Sequence, residues 1–301
     1  MSGIEIQNLT AEYTEQKQKF TALQDVTFSV ESGEFISIVG ASGCGKSTLL
    51  SILGGLRRQS GGTVQIDGEP VNGTGTDRAI VFQHDSLFPW MTVRKNVAFG
   101  IRQAKRDLPR AERLRLADEY LGHVGLSGCG DSFPFQLSGG MRQRAAIARA
   151  LAMDPKLLLM DEPFSALDVK NRAALQKLLL ELWEGDGQRK KTVVFVTHDI
   201  DEAILLSDRI VLLAPSPGHV VCELTVPFER PRRRLALKGQ ASYEVFRERL
   251  LNLLGGELEE EKEASGFPGG AKSAGRQGRR FGGGVDSRIR YVSERAAQEA
   301  G

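Results

Sequence analysis

A chain of 301 residues with 41% hydrophobic content suits one large domain or two smaller ones with a real apolar core. Its 40 Lys and Arg against 38 Asp and Glu leave a formal net charge of +2, which excludes bulk charge as a route to nucleic acid. Three scattered cysteines, Cys44, Cys129 and Cys222, exclude a disulfide framework, and no stretch reaches the ~18 apolar residues of a membrane span.

Glu5 and the lack of a long apolar run near the start speak against a secretory signal. The chain therefore reads as cytosolic, and any membrane association is expected through a partner. Residues 4–9 and 23–30 predict strands, with Val26, Phe28 and Val30 alternating at period two. The segment from Thr14 to Lys19 reads as a polar insertion in a hairpin. After the turn Glu31-Ser32-Gly33, Phe35-Ile36-Ser37-Ile38-Val39 is a β-branched apolar strand. It runs into Gly40-Ala41-Ser42-Gly43-Cys44-Gly45-Lys46-Ser47-Thr48, which fits G-x-x-x-x-G-K-[ST], the loop that wraps nucleotide phosphates. A helix from Ser47 to Leu56 is expected next. Glycines let backbone N–H groups converge on an anion, and the helix points its positive end there. Lys46 is expected to reach the β- and γ-phosphates, and Ser47 to ligate Mg²⁺. Cys44 counts there for its size rather than its thiol.

Short strands are expected at 63–66 and 79–82, the early strands being antiparallel. From Leu87 to Leu151 the character turns helical. One helix spans 110–124 with Leu114, Ala117, Leu121 and Val124 on one face, and a second runs from Arg142 to Ala152. The apolar run Leu157-Leu158-Leu159-Met160 predicts a buried strand that delivers Asp161 and Glu162 to the carboxyl end of a sheet. There Asp161 would hold Mg²⁺, directly or through water, and Glu162 would act as general base. A helix over 169–184 and apolar strands over 193–196 and 210–213 follow, which together argue for a parallel sheet covered on both faces. A helix near 241–254 closes a folded domain of residues 1–255, with a helical subdomain at about 87–152. Residues 256–301, rich in glycine and charge, read as disordered apart from a short helix near Ser293–Ala300. The basic run Arg230, Arg232, Arg233 and Arg234 reads as a solvated face or a contact for lipid head groups.

Leu137-Ser138-Gly139-Gly140-Met141-Arg142-Gln143-Arg144 resembles the signature sequence of ATP-binding-cassette ATPases. Other elements fall in the family's order. Gln83 looks like the Q-loop glutamine, Ser165-Ala166-Leu167-Asp168 like the D-loop, and His198 like the switch histidine. Tyr13 stands where the family places an adenine-stacking aromatic, with Phe20 as the alternative. Met141 replaces the family's usual glutamine. The resemblance covers roughly residues 4–254. It implies an α/β fold: a P-loop NTPase core with a mainly parallel sheet, an N-terminal antiparallel β subdomain and an inserted α-helical subdomain. It implies ATP and Mg²⁺ as ligands, with Gln83 joining Ser47 and Asp161 at the metal and joining Glu162 and His198 in catalysis. It also implies a dimer in which Ser138, Gly139, Gly140 and Asp168 of one copy close on the nucleotide held by the other.

By the same resemblance the chain is the motor of an importer. It would sit peripherally on the cytoplasmic face of the inner membrane, bound to a transmembrane permease and served indirectly by a substrate-binding protein. Leu87, Phe88 and Trp90, after Gln83, are either core residues or a docking patch for a permease helix. The stretches Asp77–Gln83, Leu87–Trp90, Asn96–Gly100 and Ser216–Val220 are similar to nitrate, sulfonate and taurine importer ATPases, with taurine or aliphatic sulfonate closest and nitrate open. The competing class is a soluble ATPase of the same superfamily acting on nucleic acid or ribosomes. The roughly ninety residues between phosphate loop and signature suit a helical subdomain rather than a long coiled coil. His84, His123 and His219 match no motif.

Overall fold

Two hydrophobic textures in the chain produce two different sheets. The structure, a computed structural model, describes residues 2–15, 18–83, 86–184, 191–215, 217–264 and 289–291. The alternating early segments form an antiparallel sheet of order β2-β1-β4-β5, with β1 Ser2–Glu15, β2 Gln18–Glu31, β4 Gly61–Ile66 and β5 Glu69–Pro70. In β2 the side chains of Val26, Phe28 and Val30 are buried while Ser29 and Glu31 face out. The hairpin strands run further than expected. Tyr13 pairs with Phe20, Thr14 with Lys19 and Glu15 with Gln18, so the described part of the polar segment is ladder, and residues 16 and 17 lie outside the described residues. Backbone pairing does not require apolar side chains, and the Tyr13–Phe20 cross-strand pair supports it.

The solid apolar runs form the second sheet. Strands β3 Phe35–Gly40, β6 Arg78–Val81, β7 Leu157–Asp161, β8 Thr192–Thr197 and β9 Arg209–Ala214 run parallel in the order β9-β3-β8-β7-β6. The antiparallel β10 His219–Thr225 and β11 Ile289–Tyr291 extend it beyond β9. Every residue of β3, β7 and β8 is buried. Alternate residues feed separate cores, Phe35, Leu158 and Val193 into one and Ile36, Leu157 and Val194 into the other. Each fully buried side chain of this kind contributes roughly 1.5–3 kcal/mol. The first core is shared with α2 Val93–Ala104, α3 Arg110–His123, α4 Gly139–Ala152, α5 Val169–Glu184 and α6 Ile200–Leu206. The second joins α1 Lys46–Leu53 and the antiparallel sheet.

Helix α1 stops at Leu53 rather than Leu56, because Gly54 closes it and Gly55 turns away at φ 71. Beyond α7 Arg234–Lys238, helix α8 Ala241–Ala264 continues past residue 254, and β11 pairs Ile289 with Leu224 and Tyr291 with Cys222. Both extend structure into the segment whose composition reads as disordered. The helix expected near 293–300 lies outside the described residues.

Three of the four arginines of the basic run are tied into the fold, and Arg233 is exposed. Arg230 donates to Asp208 Oδ1 at 2.8 Å and packs over the Trp183 ring. Arg232 is 9% exposed and donates to Ile204 O and Ser207 O, satisfying the last carbonyls of α6. Burial, with Arg230 nearby, lowers its pKa to about 10. Arg234 donates to Gln176 Oε1 at 2.9 Å.

Candidate functional site

The carboxyl ends of parallel strands β3, β6, β7 and β8 converge, which is where open α/β sheets place ligands. From β3 the chain turns through the phosphate loop into α1. Gly45 is the helix N-cap at φ 89, and a Cβ there would collide with Leu23 and lie 2.8 Å from Ala22 O. Any other residue would therefore disturb the loop. Lys46 is 6% exposed, and its Nζ donates to Gly40 O at 2.9 Å and Ala41 O at 2.7 Å. Among the described residues no carboxylate pairs with this ammonium, so a buried cation rests on neutral acceptors and attracts an anion. Cys44 is fully buried under the loop, and burial pushes its thiol pKa up.

Glu162, next after β7, adopts φ 44, a left-handed conformation that costs a non-glycine residue on the order of 1–3 kcal/mol. Its Oε2 accepts a hydrogen bond from Gln83 Nε2 at 3.1 Å and lies 3.0 Å from His198 Nδ1. Residues from the ends of β6, β7 and β8 therefore meet at one carboxylate oxygen. Asp161, 8% exposed, ends β7 itself.

A cleft of about 790 Å³ is lined by Tyr13, Phe20, Ala22, Ser42, Gly43, Gly45, Lys46, Ser47, Thr48, Gln83, Glu162 and His198. Gly40 and Ala41 lie behind it, in a small apolar pocket with His198. The Tyr13 hydroxyl is 2.7 Å from Thr48 Oγ1, and the Arg57 guanidinium covers the Tyr13 ring at 3.8 Å from its centroid. Phe20 is 59% exposed, so both candidate aromatics stand at the cleft. Ser47, Gln83 and Asp161 offer hard oxygen donors with a single carboxylate, a set that fits Mg²⁺, which keeps waters and phosphate oxygens in its shell. Among the described residues no group of three His, Cys, Asp or Glu could hold a metal ion. His123 stacks edge-on against Tyr120, His219 bonds Pro217 O, and His84 lies outside the described residues.

Ser138, Gly139, Gly140 and Asp168 do not line this cleft. Ser138 caps α4, its Oγ accepting from Met141 N at 3.3 Å, and both Ser138 and Gly139 are exposed. A Cβ on Gly140 would come within 3.3 Å of Ala166 O and of the Leu167 side chain, so the start of α4 packs on the turn that carries Asp168. Asp168 in turn caps α5 by accepting from Asn171 N at 3.0 Å and from the Asn171 amide, which holds its carboxyl below the usual range.

Sequence reasoning missed the residues that tie these halves together. Gln143, 2% exposed on α4, donates to Phe82 O at 3.0 Å, and Arg149 donates to Ser86 O at 2.8 Å and to its hydroxyl. The helix that starts with the signature thus grips the chain on either side of Gln83. Polar residues on an alanine-rich helix read as a solvent face, and only the fold reveals them as buried. Leu87 is 7% exposed, a core residue, whereas Trp90 is 69% exposed and packs on Phe88.

The family described as ABC transporter matches residues 23–165. The nitrate import ATP-binding protein NrtD of Synechocystis sp. is 41% identical over 266 residues, covering 87% of this chain and 98% of that protein. The bicarbonate transport ATP-binding protein CmpC of Synechococcus elongatus is 46% identical over 237 residues, covering 78% of this chain and 35% of that protein. A solved dimer of the ATP-binding cassette MJ0796, in a post-hydrolysis state bound to ADP and Pi, matches with a TM-score of 0.68 and 37% identity, covering 75% of this chain and all of that one. With a phosphate-loop cleft, a carboxylate held over it and this likeness along most of its length, the chain belongs to the ATP-binding proteins of ABC transporters and is an ATP hydrolase of that type.

Proposed function

We propose that the chain is the motor of a membrane importer for a small anion. Two copies close on two ATP molecules. Lys46, Ser47, Gln83, Asp161, Glu162 and His198 act from one copy, and Ser138, Gly139, Gly140 and Asp168 from the other. One observation carries this reading. The phosphate loop and its candidate base share a cleft, while the capped N-terminus of α4, itself suited to an anion, is exposed outside it. A two-fold pairing gives each outward half-site the other's cleft.

The Lys46 ammonium exchanges the Gly40 and Ala41 carbonyls for phosphate oxygens. Loop N–H groups and the start of α1 hold the remaining charge. Glu162 accepts a proton from the attacking water, and Gln83 and His198 fix the carboxylate that does so. Mg²⁺, held by Ser47, Asp161 and Gln83, would neutralise charge on the phosphates. Tyr13, already braced by Thr48 and Arg57, is the favoured adenine platform, with Phe20 beside it.

No described helix is long and apolar enough to cross a membrane, so transport requires a permease. The exposed Trp90 with Phe88 offers an apolar patch for a permease helix. The chain would then sit on the cytoplasmic face of the inner membrane, with a substrate-binding protein delivering cargo from the other side. Relatives named for nitrate and bicarbonate support a small oxyanion as cargo, while the residue wording at 77–83, 87–90, 96–100 and 216–220 supports taurine or an aliphatic sulfonate. The chain with its permease and binding protein in vesicles tests this. Hydrolysis stimulated by nitrate, bicarbonate or taurine with the binding protein present supports the proposal and names the cargo. Retention by RNA or ribosomes in a salt-dependent way, with no membrane companion, overturns it.

A further inference from the structure

One guanidinium joins the loop bearing Asp168 to the turn bearing His198. Arg172 lies in the first turns of α5, and its Nη2 donates to Leu167 O at 3.3 Å. Its Nη1 lies 3.8 Å from Asp199 Oδ2, and its Nε 3.7 Å from Glu202 Oε1. Both carboxylates shape the His198 turn. Asp199 caps α6 by accepting from Glu202 N at 3.1 Å. Glu202 accepts from Thr197 Oγ1 at 3.1 Å, immediately before His198. Gln176 Nε2 braces Glu202 from the other side at 3.0 Å, and Arg234 holds Gln176 in turn.

The two ends of this bridge differ in tightness. Glu202 is fixed by direct hydrogen bonds, whereas both Arg172–carboxylate separations exceed hydrogen-bond distance. Arg172 Nε is buried without an acceptor. A guanidinium presents a flat fork that bonds carboxylates in pairs once they come close. An unsatisfied buried donor therefore favours any movement that brings the two loops together.

We propose that Arg172 is a positioning residue that couples the two composite sites of the dimer. When Asp168 meets the partner's nucleotide, its loop shifts Arg172 through the Leu167 carbonyl. The guanidinium then closes on Asp199 and Glu202 and sets His198 in the chain's own cleft. This rests on the paired-copy reading above.

The test uses the full chain titrated with Mg-ATP. The wild type should hydrolyse cooperatively, with a Hill coefficient between one and the two sites of the dimer. Arg172→Gln should bring that coefficient to about one and slow hydrolysis roughly tenfold, a typical coupling loss. Binding of a non-hydrolysable ATP analogue and the unfolding midpoint should stay as in the wild type. Arg172→Lys keeps the charge without the fork and should behave like Arg172→Gln. Wild-type cooperativity in Arg172→Gln overturns the proposal. So does a loss that tracks analogue affinity and unfolding, which would make Arg172 a brace. If Arg172→Gln does not fold, Glu202→Gln reads the same coupling, because it removes the charge that draws Arg172. Its unchanged cooperativity would likewise overturn the proposal. A wild-type curve without cooperativity defeats the paired-copy reading itself, and the coupling falls with it.

Discussion

The cleft around Lys46 and Glu162 and the turn around Ser138 and Asp168 use the same chemistry in opposite settings. Both place a helix N-terminus and polar side chains where an anion can be held. In the first, Lys46 is 6% exposed and Glu162 is fastened by Gln83 and His198. In the second, Ser138, Gly139 and Asp168 are exposed, and the Ser138 and Asp168 side chains cap their own helices. A half-site finished inside one chain can bind alone. A half-site whose groups face outward, with its backbone already ordered, is complete only against another surface. The contrast teaches why the proposed function divides complementarity between two copies rather than placing it in one cleft.

The largest expected effect breaks the inner half. Glu162→Gln should keep nucleotide binding and slow hydrolysis by about 10²–10⁴-fold, the usual worth of a general base, as single-turnover rates would report. Crossing lesions sharpens the contrast. Homodimers of Ser138→Arg or Lys46→Ala should each lose most activity, roughly 10²-fold or more. A mixed dimer of the two collects both lesions in one site and leaves the other intact. It should keep activity well above that of either homodimer, whereas half-sites completed within one chain would leave no intact site. Next in size is the aromatic pair. Tyr13→Ala should raise KM for ATP by about fivefold to thirtyfold with little change in kcat, matching roughly 1–2 kcal/mol of base stacking. If Phe20→Ala gives the larger rise, Phe20 is the platform.

The smallest effect concerns pH and the brace behind His198. Burial, then the nearby Asp199 charge, raises the Glu202 carboxyl above its ordinary 4.5. A folded-state value above the unfolded one gives stability that is fullest below the unfolded value and declines as pH rises through the raised one. Glu202→Gln should flatten that decline in urea titrations run at increasing pH from about 4.5. A slope equal to the wild type's would show that Glu202 is not its source.

Much of the architecture was legible because its cause is local. The solid apolar runs of β3, β7 and β8 are fully buried as such runs require, and Val26, Phe28 and Val30 mark one face of β2. The phosphate loop and Asp161 lie where their strands end. Other features depend on partners distant in sequence. Gln83 and Glu162 are 79 residues apart yet share a hydrogen bond, which no spacing rule reveals. Helix α6 is buried on nearly all sides, so it lacks the stripe that marks an amphipathic helix. Arg230 and Arg232 read as solvated because sequence does not show the α6 carbonyls and the Asp208 carboxylate waiting for them. Gln143, Arg172 and Glu202 escaped notice for the same reason.

The most direct measurement is the molecular mass of Glu162→Gln in solution at saturating Mg-ATP. The account predicts a doubled mass that reverts when Ser138→Arg is added or ATP is withdrawn. A protein that binds ATP yet stays a single chain under those conditions, with or without its permease, would contradict it.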